Sequence, residues 1–387
     1  MNPLYEAMTT SVFERMSLAA ARHGAVNLGQ GFPDFGWREE MLDAAAKALR
    51  EGSNQYAPSR GVPLLREAVA AHYRRHQGLD LGEENVCITS GATEAIAAAI
   101  FATLEAGDEV VVMTPAYDAY APLVRSAGGV VREVALRPPG WRIEGDALAA
   151  AVTSKTRAII LNNPHNPTGR LFDDGELGAV AAIAREHDLI VIADEVWEHV
   201  LLDGNRFTPF AAIEGMAGRT LKCGSAGKIF SLTGWKIGWL VAAPGLATLA
   251  ARAHQFLTFA SAPHLQAAVA FGLAQGDDWI EPMQRSFAAA RDRMIAGLEA
   301  AQFAVLPSSA TYFLCVDLAA SGIGADDATF AARAVAEAGA AVVPLSPFAE
   351  AAPPRHLVRL CFAKRDETID LGIAALAKAR SLFGRAR

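Results

Sequence analysis

The chain has 387 residues, of which 52% are apolar and 20% charged, with a formal net charge of −7. That length and composition permit a large core and suggest two or three domains, and they exclude disorder. The mild acidity, with Lys and Arg scattered along the chain, argues against nucleic acid as a partner.

From the N-terminus, residues 4–23 read as one helix, followed by a short strand at 26–28. Short β-rich runs then alternate with Ala-rich helical stretches. Strands are expected at 86–89, 109–113, 130–134, 158–161, 189–193 and 221–223. Helices are expected at 93–103, 118–127, 146–151 and 173–186, with Asp118 and Asp173 as N-cap candidates. Several strands are apolar throughout, as expected when helices cover both sheet faces. The expected fold is therefore α/β: a three-layer α/β/α domain around a mostly parallel sheet. After about residue 281 the pattern changes. A long helix reaches 301, strands follow at 312–316 and 356–361, and helices at 326–337 and 366–382. These residues, with the N-terminal ones, predict a smaller α+β domain. The expected division is 1–40 and 281–387 for the small domain, with 41–280 as the large one.

Four cysteines, Cys87, Cys223, Cys315 and Cys361, sit in apolar runs. They read as buried thiols in a reducing compartment. No His/Cys spacing suits zinc, so no metal is expected. No signal peptide is apparent, and no apolar run approaches the roughly 20 residues of a membrane span. A cytoplasmic protein without a membrane partner is the expectation.

In open α/β sheets, ligands bind beyond the carboxyl ends of the strands. There the sequence places Gly91-Ala92-Thr93 at a helix start, suited to a phosphate. The next strand ends deliver the ring of Tyr117, the amide of Asn166, the carboxylate of Asp194, and Ser225-Ala226-Gly227-Lys228. A phosphorylated, cationic aromatic heterocycle would use all of them, and pyridoxal phosphate fits. Lys228 would hold its aldehyde as a Schiff base, Asp194 would keep the ring nitrogen protonated, and Tyr117 would cover one ring face. Competing motifs fail. A phosphate loop of the GxxxxGK[ST] type would need Gly at Lys222 and Ser or Thr at Ile229. The S-x-x-K match at Ser225–Lys228 lacks its companion motifs. Gly29-Gln30-Gly31 lacks the third glycine of a dinucleotide loop.

These motifs resemble those of class I/II pyridoxal-phosphate aminotransferases of fold type I. The most specific are Asn163-Pro164-His165-Asn166-Pro167-Thr168-Gly169 and Ser225-Ala226-Gly227-Lys228 followed by Thr233-Gly234-Trp235-Lys236. Within the family the chain is most similar to the kynurenine, glutamine and methionine branch, with succinyldiaminopimelate aminotransferases as close neighbours.

The resemblance implies that Lys228 carries the cofactor and then moves the Cα proton, that Asp194 pairs with the ring nitrogen, and that Asn166 bonds the ring hydroxyl. Gly91, Ala92, Thr93, Ser225 and Lys236 would surround the phosphate, with Tyr56 reaching that of the neighbouring subunit in a homodimer. Arg359 would grip the substrate α-carboxylate, with Gly31 beside it, while Phe13 and Phe259 would line the side-chain pocket. Lys236 and Arg359 would help depress the Lys228 pKa. Thr114-Pro115 and Asn166-Pro167 match positions where the family has cis peptides. One departure stands out. Trp197 occupies the place of a tyrosine that bonds the ring hydroxyl, so either its indole N–H donates or Asn166 carries that bond alone.

The expected substrates are an amino acid with a methionine, aromatic, kynurenine or glutamine-like side chain and a 2-oxo acid. Succinyldiaminopimelate as donor, β-elimination from cysteine conjugates, and an inactive regulator are the alternatives.

Overall fold

The computed structural model describes residues 1–6 and 8–383. The N-terminal segment holds α1 (Pro3–Glu6), α2 (Val12–His23) and β1 (Val26–Asn27). The single helix expected over 4–23 is thus two. Ser11 breaks it by capping α2, its hydroxyl accepting from the Phe13 N–H at 3.3 Å.

Helices α3 (Glu39–Glu51) and α4 (Pro63–Gln77) follow. The central alternation then runs β2 (Val86–Thr89), α5 (Ala92–Thr103), β3 (Glu109–Thr114), α6 (Tyr120–Ser126), β4 (Val130–Ala135) and α7 (Gly145–Ala151). It continues through β5 (Thr156–Asn162), α8 (Asp174–Glu186), β6 (Ile190–Asp194), β7 (Thr220–Ser225), α9 (Ala226–Ile229) and β8 (Gly238–Val241). Helices α10 (Pro244–His254), α11 (Pro263–Ala274) and α12 (Ile280–Ala300) lead out of it. The C-terminal part holds β9 (Ala304–Val305), β10 (Phe313–Asp317), α13 (Asp327–Arg333), β11 (Ala340–Ala341), β12 (Val343–Pro344), β13 (Leu357–Cys361) and α14 (Asp366–Ser381).

The large sheet has the order β2-β8-β7-β6-β5-β3-β4. All its neighbours pair in parallel except β8, which is antiparallel to β2 and β7. Alternation of side chains explains the three layers. Val111, Met113, Ile159, Leu161 and Val191 pack on one face against Leu177, Val180 and Ala181 of α8. Val110, Val112, Ala158, Ile160 and Ile192 pack on the other against Ala95, Ile96 and Ile100 of α5. Burying each Val or Ile contributes about 1.5–3 kcal/mol. Both faces are covered, so the central residues of these strands are apolar in unbroken runs rather than at alternate positions.

Asp173 caps α8 as expected, in a reciprocal box with Glu176. Asp118 does not cap α6, which starts two residues later. Its carboxylate instead accepts from the Ser11 hydroxyl at 2.6 Å, tying the N-terminal segment to the large sheet.

The chain ends meet through β1, which pairs in parallel with β11. A second sheet has the order β12-β13-β10-β9 and is antiparallel throughout. All four cysteines are buried and free. No helix among the described residues is long and apolar enough to cross a membrane.

Candidate active site

The carboxyl ends of β2, β5, β6 and β7 open on a cavity of about 430 Å³, which segments from both chain ends close. Its walls include Gly91, Ala92, Thr93, Tyr117, Asn166, Asp194, Trp197, Ser225, Lys228, Lys236, Gly31, Phe13 and Arg359. The structure thus gathers every expected site residue except Tyr56 and Phe259.

Asp194 ends β6 and is 5% exposed. One carboxylate oxygen accepts from the Tyr120 hydroxyl and the other from the Val196 N–H at 3.4 Å. Burial pushes its pKa up, opposed by these hydrogen bonds and by the charge of Lys228. Among the described residues Asp194 has no ion-pair partner, so a ring N–H⁺ fits the donor set it lacks.

The anion cradle lies at the start of α5. Gly91, the N-cap, has φ +79° and no side-chain cap. A Cβ on Gly238 would lie 2.5 Å from the Gly91 carbonyl carbon and 2.6 Å from the Ala92 nitrogen. Only glycine in β8 therefore lets the two backbones approach. Lys236 reaches over Gly91, its Nζ 3.2 Å from where a Cβ would stand. Free first-turn amides, Thr93, Ser225 and a lysine make a phosphate site. The Tyr117 hydroxyl meets that of Thr93 at 3.4 Å.

Lys228 is largely shielded from solvent, and this desolvation lowers its pKa to about 8. Burial is the main cause; Arg359 and Lys236 lower it further, while Cys361 and Asp194 oppose. The expected cationic neighbours thus act, but second to desolvation. Lys228 Nζ donates to the Tyr312 hydroxyl at 3.1 Å and to the Gly31 carbonyl at 3.4 Å. Tyr312 in turn donates to the same carbonyl at 2.8 Å. Gly31 therefore spends its carbonyl on this pair and keeps only its N–H for a substrate. Sequence reasoning missed Tyr312 and Tyr120. Tyr120 carried a signal, lying one helical turn beyond Tyr117.

Trp197 lines the same cavity. Its ring lies under Lys228, with Nζ 4.6 Å from the centroid, and stands edge-on to Tyr312 at 4.5 Å. Its indole N–H makes no hydrogen bond among the described residues.

Arg359 is 1% exposed and has no carboxylate partner. Its Nη1 donates to Asn166 Oδ1 at 2.8 Å and its Nη2 to the Gly29 carbonyl at 2.9 Å, while Nε is buried without a partner. The guanidinium stacks on Phe313 at 3.8 Å and faces Phe13 at 4.8 Å. Burial lowers its pKa to about 10, so it stays charged near neutrality. A buried cation with no counter-ion is a receptor for an anion.

Phe259, expected to line the side-chain pocket, does not reach this chain's own cavity. It is 45% exposed, with φ +66°, and packs edge-on to Tyr56 at 5.5 Å. Tyr56 itself is 88% exposed. Their surface stack turns both rings away from this chain's own cavity. Phe348, which lines the neighbouring cavity, packs edge-on to Phe13 at 5.5 Å. Thr114-Pro115 and Asn166-Pro167 are cis, as expected, and so are Pro138-Pro139 and Asn163-Pro164.

The family model for aminotransferase class I and II matches residues 23–376. The chain belongs to the class I and II aminotransferases. It is 45% identical over 381 residues to the probable N-succinyldiaminopimelate aminotransferase of Mycobacterium tuberculosis, covering 95% of this chain and 96% of that protein. The solved structure of that organism's N-succinyldiaminopimelate aminotransferase matches with TM-score 0.94, covering 97% of this chain and 99% of the other. The methionine aminotransferase of Escherichia coli is 36% identical, covering 96% of both chains. An aspartate aminotransferase structure from Thermus thermophilus with maleate matches at 32% identity with TM-score 0.90, covering 98% of this chain and 99% of that one. The family depends on pyridoxal phosphate, and so does this aminotransferase. It transfers amino groups between amino acids and 2-oxo acids.

Proposed function

We propose that this aminotransferase takes its amino group from an α-amino acid with a long side chain, with N-succinyldiaminopimelate as the first donor to test. The observation that carries an α-amino acid is Arg359, a buried guanidinium without a carboxylate partner that shares one cavity with Lys228. The donor's identity is supported by the 45% identical relative and by a second cavity beyond Tyr117, lined by Thr10, Ser11, Arg15 and Asp118. Tyr117 borders both cavities, so a long chain has room to extend. A methionine or aromatic donor is the second reading, favoured by Phe13 and Phe348 beside Arg359 and by the methionine aminotransferase relative. Kynurenine and glutamine rank behind these.

Bound pyridoxal phosphate supplies an aldehyde for the substrate amine and a ring that accepts electrons from the Cα–H bond. The chain's residues do the rest. Lys228 holds the cofactor and, once released, carries the proton on Nζ, a role its lowered pKa suits. Asp194 keeps a negative charge against the ring nitrogen. Asn166 gives its oxygen to Arg359 and so has its NH₂ free for the ring hydroxyl. Gly91, Ala92, Thr93, Ser225 and Lys236 hold the phosphate. Arg359 orients the α-carboxylate with the Gly31 N–H.

The exposed aromatic residues Tyr56, Phe256 and Phe259 support a homodimer in which Tyr56 and Phe259 complete the partner's site. The division into 1–40, 41–280 and 281–387 and a cytoplasmic location belong to the same reading, the latter supported by four free thiols. The deciding experiment is single-turnover spectroscopy with a panel of amino donors. Faster conversion by aspartate than by succinyldiaminopimelate, methionine and aromatic donors would overturn the ranking.

A further inference from the structure

We propose that His72, His76 and Asp277 bind one divalent transition-metal ion of the Zn²⁺, Co²⁺ or Ni²⁺ type, at a place separate from the amino-transfer cavity. One ligand atom from each lies within 4.8 Å of those of the other two. Helix α4 carries His72 and His76 one turn apart on the same face, with ring centroids 4.4 Å apart. Asp277 arrives from the link between α11 and α12. That spacing on α4 carries no metal by itself; the fold adds the carboxylate from 200 residues away.

The nitrogens are set up for a ligand rather than for one another. His72 Nδ1 is buried with no hydrogen-bond partner. His76 Nε2 lies 2.6 Å from Asp277 Oδ1 yet makes no directed hydrogen bond. Buried unpartnered nitrogens are costly, and an ion would use their lone pairs. On its other nitrogen, His72 Nε2 meets His199 Nε2 at 2.7 Å. Such a contact behind a ligand fixes the ring and its tautomer.

Arg75 donates to the Asp277 carboxylate through Nε at 2.6 Å and Nη2 at 2.8 Å. Glu198 and Lys222 face His199 from behind. Two imidazoles and a carboxylate, with a position open to water, suit zinc, cobalt or nickel. They do not suit Mg²⁺ or Ca²⁺, which take oxygen ligands. The nearby Arg75 cation weakens the site, making it exchangeable. A bound ion would clip α4 to the start of α12.

The test is titration of chelator-treated holoenzyme with Co²⁺, followed by visible absorption and then displacement with Zn²⁺. We expect one equivalent per chain, an upward Tm shift with Zn²⁺ and none with Mg²⁺. His76→Ala and Asp277→Asn, both at half-buried positions, should each weaken Co²⁺ binding by at least about tenfold. Lys228→Ala should bind Co²⁺ as the parent does, placing the ion away from the cofactor cavity. No stoichiometric Co²⁺ binding by the parent overturns the proposal. So does parental affinity in both His76→Ala and Asp277→Asn, or loss of binding in Lys228→Ala.

Discussion

Arg359 Nη1 and Asn166 Oδ1 lie 2.8 Å apart, so the group suited to a carboxylate and the amide suited to the cofactor ring are one hydrogen-bonded unit. The bond consumes the amide oxygen and leaves the NH₂ free to donate. Asn166→Ala should therefore act at both ends. We expect kcat/KM to fall roughly 10–100-fold, the loss of one or two charge-assisted hydrogen bonds, with a shift in the pH dependence of the cofactor's visible band. An unchanged spectrum would show that Asn166 does not touch the ring.

Lys228 gives a pH signature. Burial disfavours its charged form, so the neutral amine prevails above about 8 rather than above 10.5. At pH 7.5 about a quarter of the apoprotein then carries a reactive amine. Capture of pyridoxal phosphate by apoprotein should accelerate with pH and level off above about 8. A rise continuing towards 10.5 would contradict the lowered pKa. Lys228→Ala should give no borohydride-reducible bond at this site.

Arg359→Lys keeps the charge but loses the planar fork over Phe313. Steady-state rates with α-amino acids should drop roughly 100-fold in kcat/KM. An amine without a carboxylate should lose little. Equal losses for both would mean that Arg359 serves the fold rather than the substrate.

Gly238→Ala places a methyl against backbone on two sides, at 2.5 and 2.6 Å. Neither backbone can yield without moving the start of α5. Chemical denaturation should register about 1–3 kcal/mol of lost stability. Dialysis should strip the cofactor faster than from the parent. Parental behaviour in both assays would remove the cradle from the argument.

Tyr56, exposed and stacked on Phe259, tests the dimer. Sedimentation should find a dimer at working concentration. Tyr56→Phe should keep that dimer and hold the cofactor phosphate less tightly, because only the hydroxyl is lost. A monomer with full activity would refute the shared site.

Much of the molecule was legible from local pattern. Apolar runs such as Val110–Met113 and Ile159–Leu161 announced strands covered on both faces, and Asp173 announced a helix start. The strand-end residues Asn166, Asp194 and Lys228 were legible because parallel strands put all their carboxyl ends on one edge. Other features escaped. The two-residue strand β11 exists only through its pairing with β1, the strand expected at 26–28, and Asp118 accepts from Ser11 rather than capping α6. Phe259 packs edge-on to Tyr56 at the surface, a contact that no local pattern announces. By itself, then, the sequence determined the fold class and the kind of chemistry, since periodicity, caps and motif residues act over a few positions. Tertiary structure decided the burial that lowers Lys228, the Tyr312 contact to it, and the joining of Arg359 to Gly29, 330 residues apart. Desolvation and long-range contact depend on what surrounds a residue, which no short stretch of chain specifies.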